Sequence, residues 1–245
     1  MPSLVPSRIF SPDLLAGCVV LVTGGGSNLG RAAATELAAC GATVVIAGRR
    51  AEVLEEACAR IGPACSYVAS DIRREDDAER IVRECLSRHG RLDVLVNNAG
   101  GQYFVPAEAI EPKGWRAVTG LNVGGTERMT RLAADLAMRP AGGGTIINIT
   151  LSPHHGLTGM THSSAARAAV EGYTHALARE WAADGIAVLA LAAGHFDTAS
   201  LRKYPEPVWR AAARTCRSSA SGASRSTPGS SRSPPRRWAG PCPAP

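Results

Sequence analysis

The stretch Thr23-Gly24-Gly25-Gly26-Ser27-Asn28-Leu29-Gly30 constrains this chain more than any other. An apolar run, Cys18-Val19-Val20-Leu21-Val22, enters it, and an alanine-rich helical stretch from Arg31 to Cys40 leaves it. That order is strand, glycine turn, helix. Gly24 permits a tight turn out of the strand, and a side chain near Gly26 or Gly30 would block close approach of a pyrophosphate. The helix then offers unpaired N–H groups and the positive end of its dipole to that phosphate. A plain strand–helix turn would carry glycines too, so the rest of the chain decides.

The same alternation repeats downstream. Thr43-Val44-Val45-Ile46-Ala47 reads as a second strand, followed by Gly48-Arg49-Arg50 and a helix over 51–60 that Gly62-Pro63 ends. Ser66–Ser70 is a third strand running into Asp71-Ile72, and a helix over 74–89 stops at Gly90. Leu92–Val96 is a fourth strand leading to Asn97-Asn98-Ala99-Gly100. A long helix over 112–138 ends at Gly142-Gly143-Gly144, and Thr145–Thr150 is strand five. Another long helix over 159–183 turns at Asp184-Gly185 into strand six, Ile186–Ala192, which Gly194-His195-Phe196-Asp197-Thr198 leaves. Strands alternating with long helices make an α/β fold with a doubly wound parallel sheet. Residues 1–17, with three prolines, read as an N-terminal arm, 18–213 as the nucleotide-binding domain, and 214–245 as a disordered tail rich in Arg, Ser and Pro.

The net charge of +6 raises the question of nucleic acid. Residues 214–245 hold six arginines and no acidic residue, so the rest of the chain sums to zero. The basic character belongs to the tail, and no nucleic-acid partner is expected. No apolar run is long enough to span a membrane, and no secretory leader is apparent, so a cytoplasmic location is expected. The seven cysteines lack a C-x-x-C pair or metal spacing and read as small apolar residues; no metal site is expected.

Thr23-Gly24-x-x-x-Asn28-x-Gly30, Asp71, Asn97-Asn98-Ala99-Gly100 and Asn122 together resemble the short-chain dehydrogenase/reductase family, over roughly residues 14 to 213. The resemblance implies a Rossmann-type sheet of about seven strands, a small-molecule substrate and a homotetramer when the C-terminus is intact. It also implies roles by position. Gly24, Ser27, Asn28, Leu29 and Gly30 would hold the pyrophosphate, Asp71 and Ile72 the adenine, and Asn98 and Gly100 the adenosine ribose. Asp71 would otherwise be a helix cap. At the end of strand two Gly48 stands where NAD enzymes carry a carboxylate, and Arg49 follows. A guanidinium pairs with a 2′-phosphate, so NADPH is expected, with NAD as the alternative.

At the catalytic helix the chain departs from that pattern. Ser163 falls where the family's proton-donating tyrosine stands, and Arg167 where its lysine stands. Thr150 or Ser152 is nearest the family's serine position, and Tyr173 reads as a packing residue. A serine hydroxyl is a poor general acid near neutral pH. Asn98-Ala99-Gly100-Gly101-Gln102, Pro106-Ala107-Glu108, Lys113-Gly114-Trp115 and His162-Ser163 resemble peroxisomal trans-2-enoyl-CoA reductase; 2,4-dienoyl-CoA reductases also carry serine for that tyrosine. The resemblance implies NADPH-dependent reduction of an enoyl thioester, with Ser163 donating to the substrate oxygen, Arg167 on the nicotinamide ribose and Asn122 opening its helix for a water. An alcohol dehydrogenase or ketone reductase, acting on citronellol-like substrates, is the alternative. A catalytically impaired nucleotide-binding protein is the third reading. His154, His155 and His162 are candidate proton donors that otherwise read as solvated or packed.

The alternation stops near Arg214. With GC-rich codons chosen from Cys216 onward, a shift of one base yields a string resembling the family's C-terminal segment. The expectation is therefore a frameshift near Thr215, with the last strand and helix missing.

Overall fold

The protein is described here by a computed structural model. It describes residues 7–151 and 159–194 and, beyond them, residues 196, 198, 204, 206 and 210. The first six residues, Ser152, His154, His155 and the tail 214–245 therefore lie outside the described residues, and with them the expected frameshift and missing strand.

The strands are β1 (Val19–Thr23), β2 (Thr43–Gly48), β3 (Cys65–Ala69), β4 (Val94–Asn97), β5 (Gly144–Leu151) and β6 (Ile186–Ala193). They form one sheet in the order β3-β2-β1-β4-β5-β6, every pair parallel. The helices are α1 (Asn28–Ala39), α2 (Ala51–Ile61), α3 (Glu75–His89), α4 (Pro112–Thr119), α5 (Gly125–Ala133) and α6 (Thr161–Glu180). This is the expected doubly wound α/β fold. A second unit, His195–Pro245, contains an ion pair of Arg210 with Glu206.

Side chains alternate across a strand, so each apolar run serves two cores. Val20 and Val22 of β1 join Val44 and Ile46 of β2 against Ala34, Ala38, Leu54 and Ile61 of α1 and α2. Val19 and Leu21 join Val45, Leu95 and Ile146 against Ile81, Met129 and Leu177 of α3, α5 and α6. α3 is shaped by charge as well: Glu75, Asp76 and Asp77 sit in its first turn and Arg88 and His89 in its last, each matching the dipole.

The helix expected over 112–138 is continuous but underwound twice, at Gly120–Gly124 and at Ala134–Met138. At the first site Asn122 Nδ2 donates to Val118 O at 2.7 Å, a side-chain bond to the i−4 carbonyl that competes with the helix ladder. β3 is an edge strand whose outer carbonyls are occupied. Arg80 Nη2 donates to Ala69 O and Arg88 Nη1 to Tyr67 O, each at 2.9 Å. β6, the other edge among the described residues, buries Ile186 and Val188 on α6 but leaves Leu189 and Leu191 39% and 58% exposed.

Candidate active site

The glycines of the turn pack closely on neighbouring protein. Gly24 has φ +65°, and a Cβ there would meet Ala99 Cα and Asn98 Nδ2 at 3.0 Å. A Cβ on Gly30 would stand 2.3 Å from Gly24 O, and one on Gly26 would stand 3.1 Å from Val53 Cγ1. Their missing side chains let α1 sit against the β1 turn and let the turn sit against α2. The loop after β4 staples the turn. Thr23 Oγ1 accepts from the N–H groups of Asn98 and Ala99, and Asn98 Nδ2 donates to Thr23 O at 2.9 Å. α1 begins at Asn28 (φ +47°), three residues before the expected start, with no acidic residue in its first turn. Ser27 precedes it without a capping bond, so the positive end of α1 is open to an anion in the turn, beside Leu29 and Gly30.

Gly48 ends β2, and Arg49 and Arg50 follow, both exposed and without side-chain hydrogen bonds or ion pairs among the described residues. Asp71 lies across from them after β3. Its carboxylate accepts from Arg73 Nε and the Arg73 N–H at 2.9 and 3.1 Å. The Arg73 bond holds the Asp71 carboxyl below the usual range despite partial burial, with a smaller contribution from the charge of Arg49. Asp71 thus closes a local turn ahead of α3 rather than capping it, since the cap residue of α3 is Arg74. Ile72 is 5% exposed, and its Cδ1 would stand 2.7 Å from a Cβ on Gly125, so its side chain belongs to the core.

At the other end Asn122 and Arg167 converge on Gly100 and Gly101. Asn122 is fully buried; its Oδ1 accepts from Gly101 N at 3.2 Å and its Nδ2 donates to Gly101 O at 2.7 Å. A Cβ on Gly100 would lie 2.5 Å from Arg167 Nη2 and 2.7 Å from Asn122 Oδ1. Arg167 Nη1 donates to Ile149 O at 2.8 Å, while its Nε is buried without a partner. No carboxylate pairs with Arg167 among the described residues, and burial lowers its pKa. Ser163, fully buried, donates from Oγ to Gln102 Oε1 at 2.6 Å. The structure therefore brings Ser163, Arg167, Asn122 and Gly100 together at the ends of β4 and β5.

The remaining candidates are placed as follows. His162 is fully buried, its ring 4.5 Å from the Tyr103 ring, both ring nitrogens without partners among the described residues. Burial pushes its pKa below the ordinary value. Thr150 Oγ1 is engaged by Glu171 Oε1 at 2.9 Å. Tyr173 packs against the core, its phenol pushed up to about 12 by burial, as a packing residue would be. Among the described residues no cluster of three metal-ligating side chains occurs, and no helix is long and apolar enough to cross a membrane.

Two features are not legible from motif spacing. Gln102 is the acceptor that orients Ser163, and a buried chain runs from Thr130 through Asn97 and Asn148 to Thr174, each link 2.9 Å. The available signal for the second is Asn148, a polar residue in the middle of an apolar strand.

The sequence model of the short chain dehydrogenase family matches residues 18–208. Peroxisomal 2,4-dienoyl-CoA reductase of Arabidopsis thaliana is 37% identical over 186 residues, 71% of this chain and 62% of that protein. A probable 2,4-dienoyl-CoA reductase of Bacillus subtilis is 36% identical over 183 residues, 73% of this chain and 72% of that protein. The chain thus spans less than two thirds of the Arabidopsis relative's length. Among solved structures, the citronellol catabolism dehydrogenase AtuB of Pseudomonas aeruginosa PAO1 superposes with a TM-score of 0.72. It is 40% identical, and the match covers 75% of this chain and 77% of that one.

Proposed function

The chain belongs to the short-chain dehydrogenase family, and on that premise we propose that it reduces an α,β-unsaturated thioester, or a similarly activated alkene, with NADPH. One observation carries the reading: Ser163, not a phenol, stands buried at the head of α6 with its proton directed to Gln102.

The residues fit the cofactor. The capless, acid-free start of α1 suits a pyrophosphate at Gly24, Ser27, Asn28, Leu29 and Gly30. Unpaired Arg49 suits a 2′-phosphate, the ionised Asp71 suits an adenine amino group, and the backbone of Ile72 flanks it. Asn98 holds the turn on the adenosine side. Gly100 is assigned with Asn98 to the adenosine ribose, and Arg167, on which Gly100 packs, to the nicotinamide ribose, where the buried guanidinium has an unused donor. Asn122 fixes Gly101, and so the floor of the site. Bound NADPH supplies a hydride.

The residues of the chain then have a limited task. Hydride addition to the β-carbon of an enoyl thioester moves negative charge to the thioester oxygen, which needs hydrogen-bond donors more than a strong acid. Turning the Ser163 hydroxyl from Gln102 to that oxygen exchanges one neutral hydrogen bond, worth about 1 kcal/mol net, for one to a developing anion. The uncompensated cation of Arg167 favours the same charge. Protonation at carbon follows from a weaker acid or from water.

A panel of trans-2-enoyl thioesters, dienoyl thioesters, simple ketones and terpenoid alcohols, read by NADPH oxidation or NADP reduction, tests the proposal. Turnover of ketones with none of enoyl thioesters overturns it. The likeness to AtuB supports a second reading, alcohol oxidation on a citronellol-like substrate, which the same panel separates. A homotetramer and a cytoplasmic location accompany the first reading as proposals; light scattering of the purified chain tests the first.

A further inference from the structure

Away from the site, Cys58 in the last turn of α2 and Cys65 at the start of β3 face each other with their sulfurs 2.9 Å apart. That is about 0.9 Å beyond a disulfide bond, a distance side-chain rotation covers. The turn between them is pinned by its own backbone: Gly62 N donates to Cys58 O at 2.8 Å and Cys65 N to Gly62 O at 3.1 Å. Gly62 takes φ +107°, which glycine adopts without strain. Both thiols are half-buried, whereas Cys18, Cys40 and Cys85 are buried. We propose that Cys58 and Cys65 are a reversible oxidation site, forming an intrachain disulfide when a hydroperoxide reaches α2.

Cys58 is the attacking member. The two sulfurs share one S–H···S hydrogen bond, which holds the Cys58 pKa below the ordinary thiol value and the Cys65 pKa above it. The Cys58 thiolate attacks the O–O bond, giving a sulfenic acid and releasing one oxygen as water or alcohol. Cys65 sulfur then displaces hydroxide from the sulfenyl sulfur, its proton leaves with that hydroxide as water, and the S–S bond closes. Two thiols and one hydroperoxide thus yield one disulfide, water and water or alcohol, and a dithiol reductant reverses the bond.

The test treats the full chain with hydrogen peroxide, alkylates free thiols, and maps a non-reduced tryptic digest, since trypsin cuts between the pair at Arg60. The expected result is a Cys58–Cys65 linked peptide that dithiothreitol abolishes. In Cys65→Ser, dimedone should trap a sulfenic acid on Cys58; in Cys58→Ser it should leave Cys65 unlabelled. Full alkylation of both thiols after peroxide, or linkage to other cysteines in their place, overturns the proposal. Dimedone on Cys65 in place of Cys58 overturns the assigned order. The wild-type digest decides without either variant if substitution impairs folding.

Discussion

Ser163 Oγ stands 2.6 Å from Gln102 Oε1 and donates to it, so the hydroxyl at the head of α6 is held by the loop that follows β4. The pair couples two segments sixty-one residues apart, and its Ser163 end is fully buried.

Replacing Gln102 by Leu should therefore cost more than one contact. A buried hydroxyl left without its acceptor costs about 1–3 kcal/mol. Thermal unfolding should register that loss, and kcat/KM for an enoyl thioester should fall by about tenfold, equivalent to about 1.4 kcal/mol. Unchanged kinetics in a stable Gln102→Leu variant would remove Gln102 from the proposed site.

Restoring the phenol requires making room for it. Ser163 is fully buried, so Ser163→Tyr alone should overpack and lose about 1–3 kcal/mol of stability. Combined with Arg167→Lys and Gln102→Ala, which clears the facing side chain, it should raise ketone reduction above the unmodified protein. Assays of both substrate classes on the single and triple variants check this.

Cofactor choice should follow Arg49. NADPH is expected to bind at least tenfold tighter than NADH, about 1.4 kcal/mol. Arg49→Ala should erase that difference by weakening NADPH alone. Fluorescence titration of both cofactors reads it, and equal affinities in the unmodified protein would refute it.

His162 should make stability depend on pH. Its folded pKa lies below the ordinary value of 6.5 because burial penalises the cation. The unfolded chain therefore takes up the proton first, so its contribution is complete above about pH 6.5 and is lost as pH falls below it. Tm should drop more steeply between about pH 6.5 and 5 in the wild type than in His162→Leu. Parallel slopes in the two proteins would count against it.

Gly30→Ala is predicted to damage the turn through protein contact. The added carbon would meet Gly24 O at 2.3 Å, and backbone cannot swing aside. A loss of about 1–3 kcal/mol in stability, with weakened binding of both cofactors, is the expected outcome. NADPH and NADH titrations beside a melting curve measure it.

The fold was legible because period and punctuation agree. β1 reads as an unbroken apolar run, Val19–Val22, since Val20 and Leu21 face different cores, and Gly90 ends α3 where a left-handed residue is needed. The elements of the site were legible wherever a motif ties them to a strand end, as with Gly24, Asn98 and Asp71. What spacing could not convey is direction. Nothing in the sequence says that Gly30 faces a carbonyl, that Ile72 turns inward, or that Gln102 reaches across to Ser163. Those depend on packing between segments far apart in the chain, Ile72 on Gly125 and Gln102 on Ser163 among them. The underwinding at Asn122 is similar, since an asparagine inside a helical run specifies neither which carbonyl it will take nor how the ladder yields.

The guanidinium groups of Arg80 and Arg88 have a consequence for growth of the sheet. An incoming strand would have to dock on the carbonyls of Tyr67 and Ala69, and both are already occupied from α3. Templated pairing is therefore disfavoured along the β3 margin. Charge reversal at both arginines would free those two carbonyls and open that margin to strand addition.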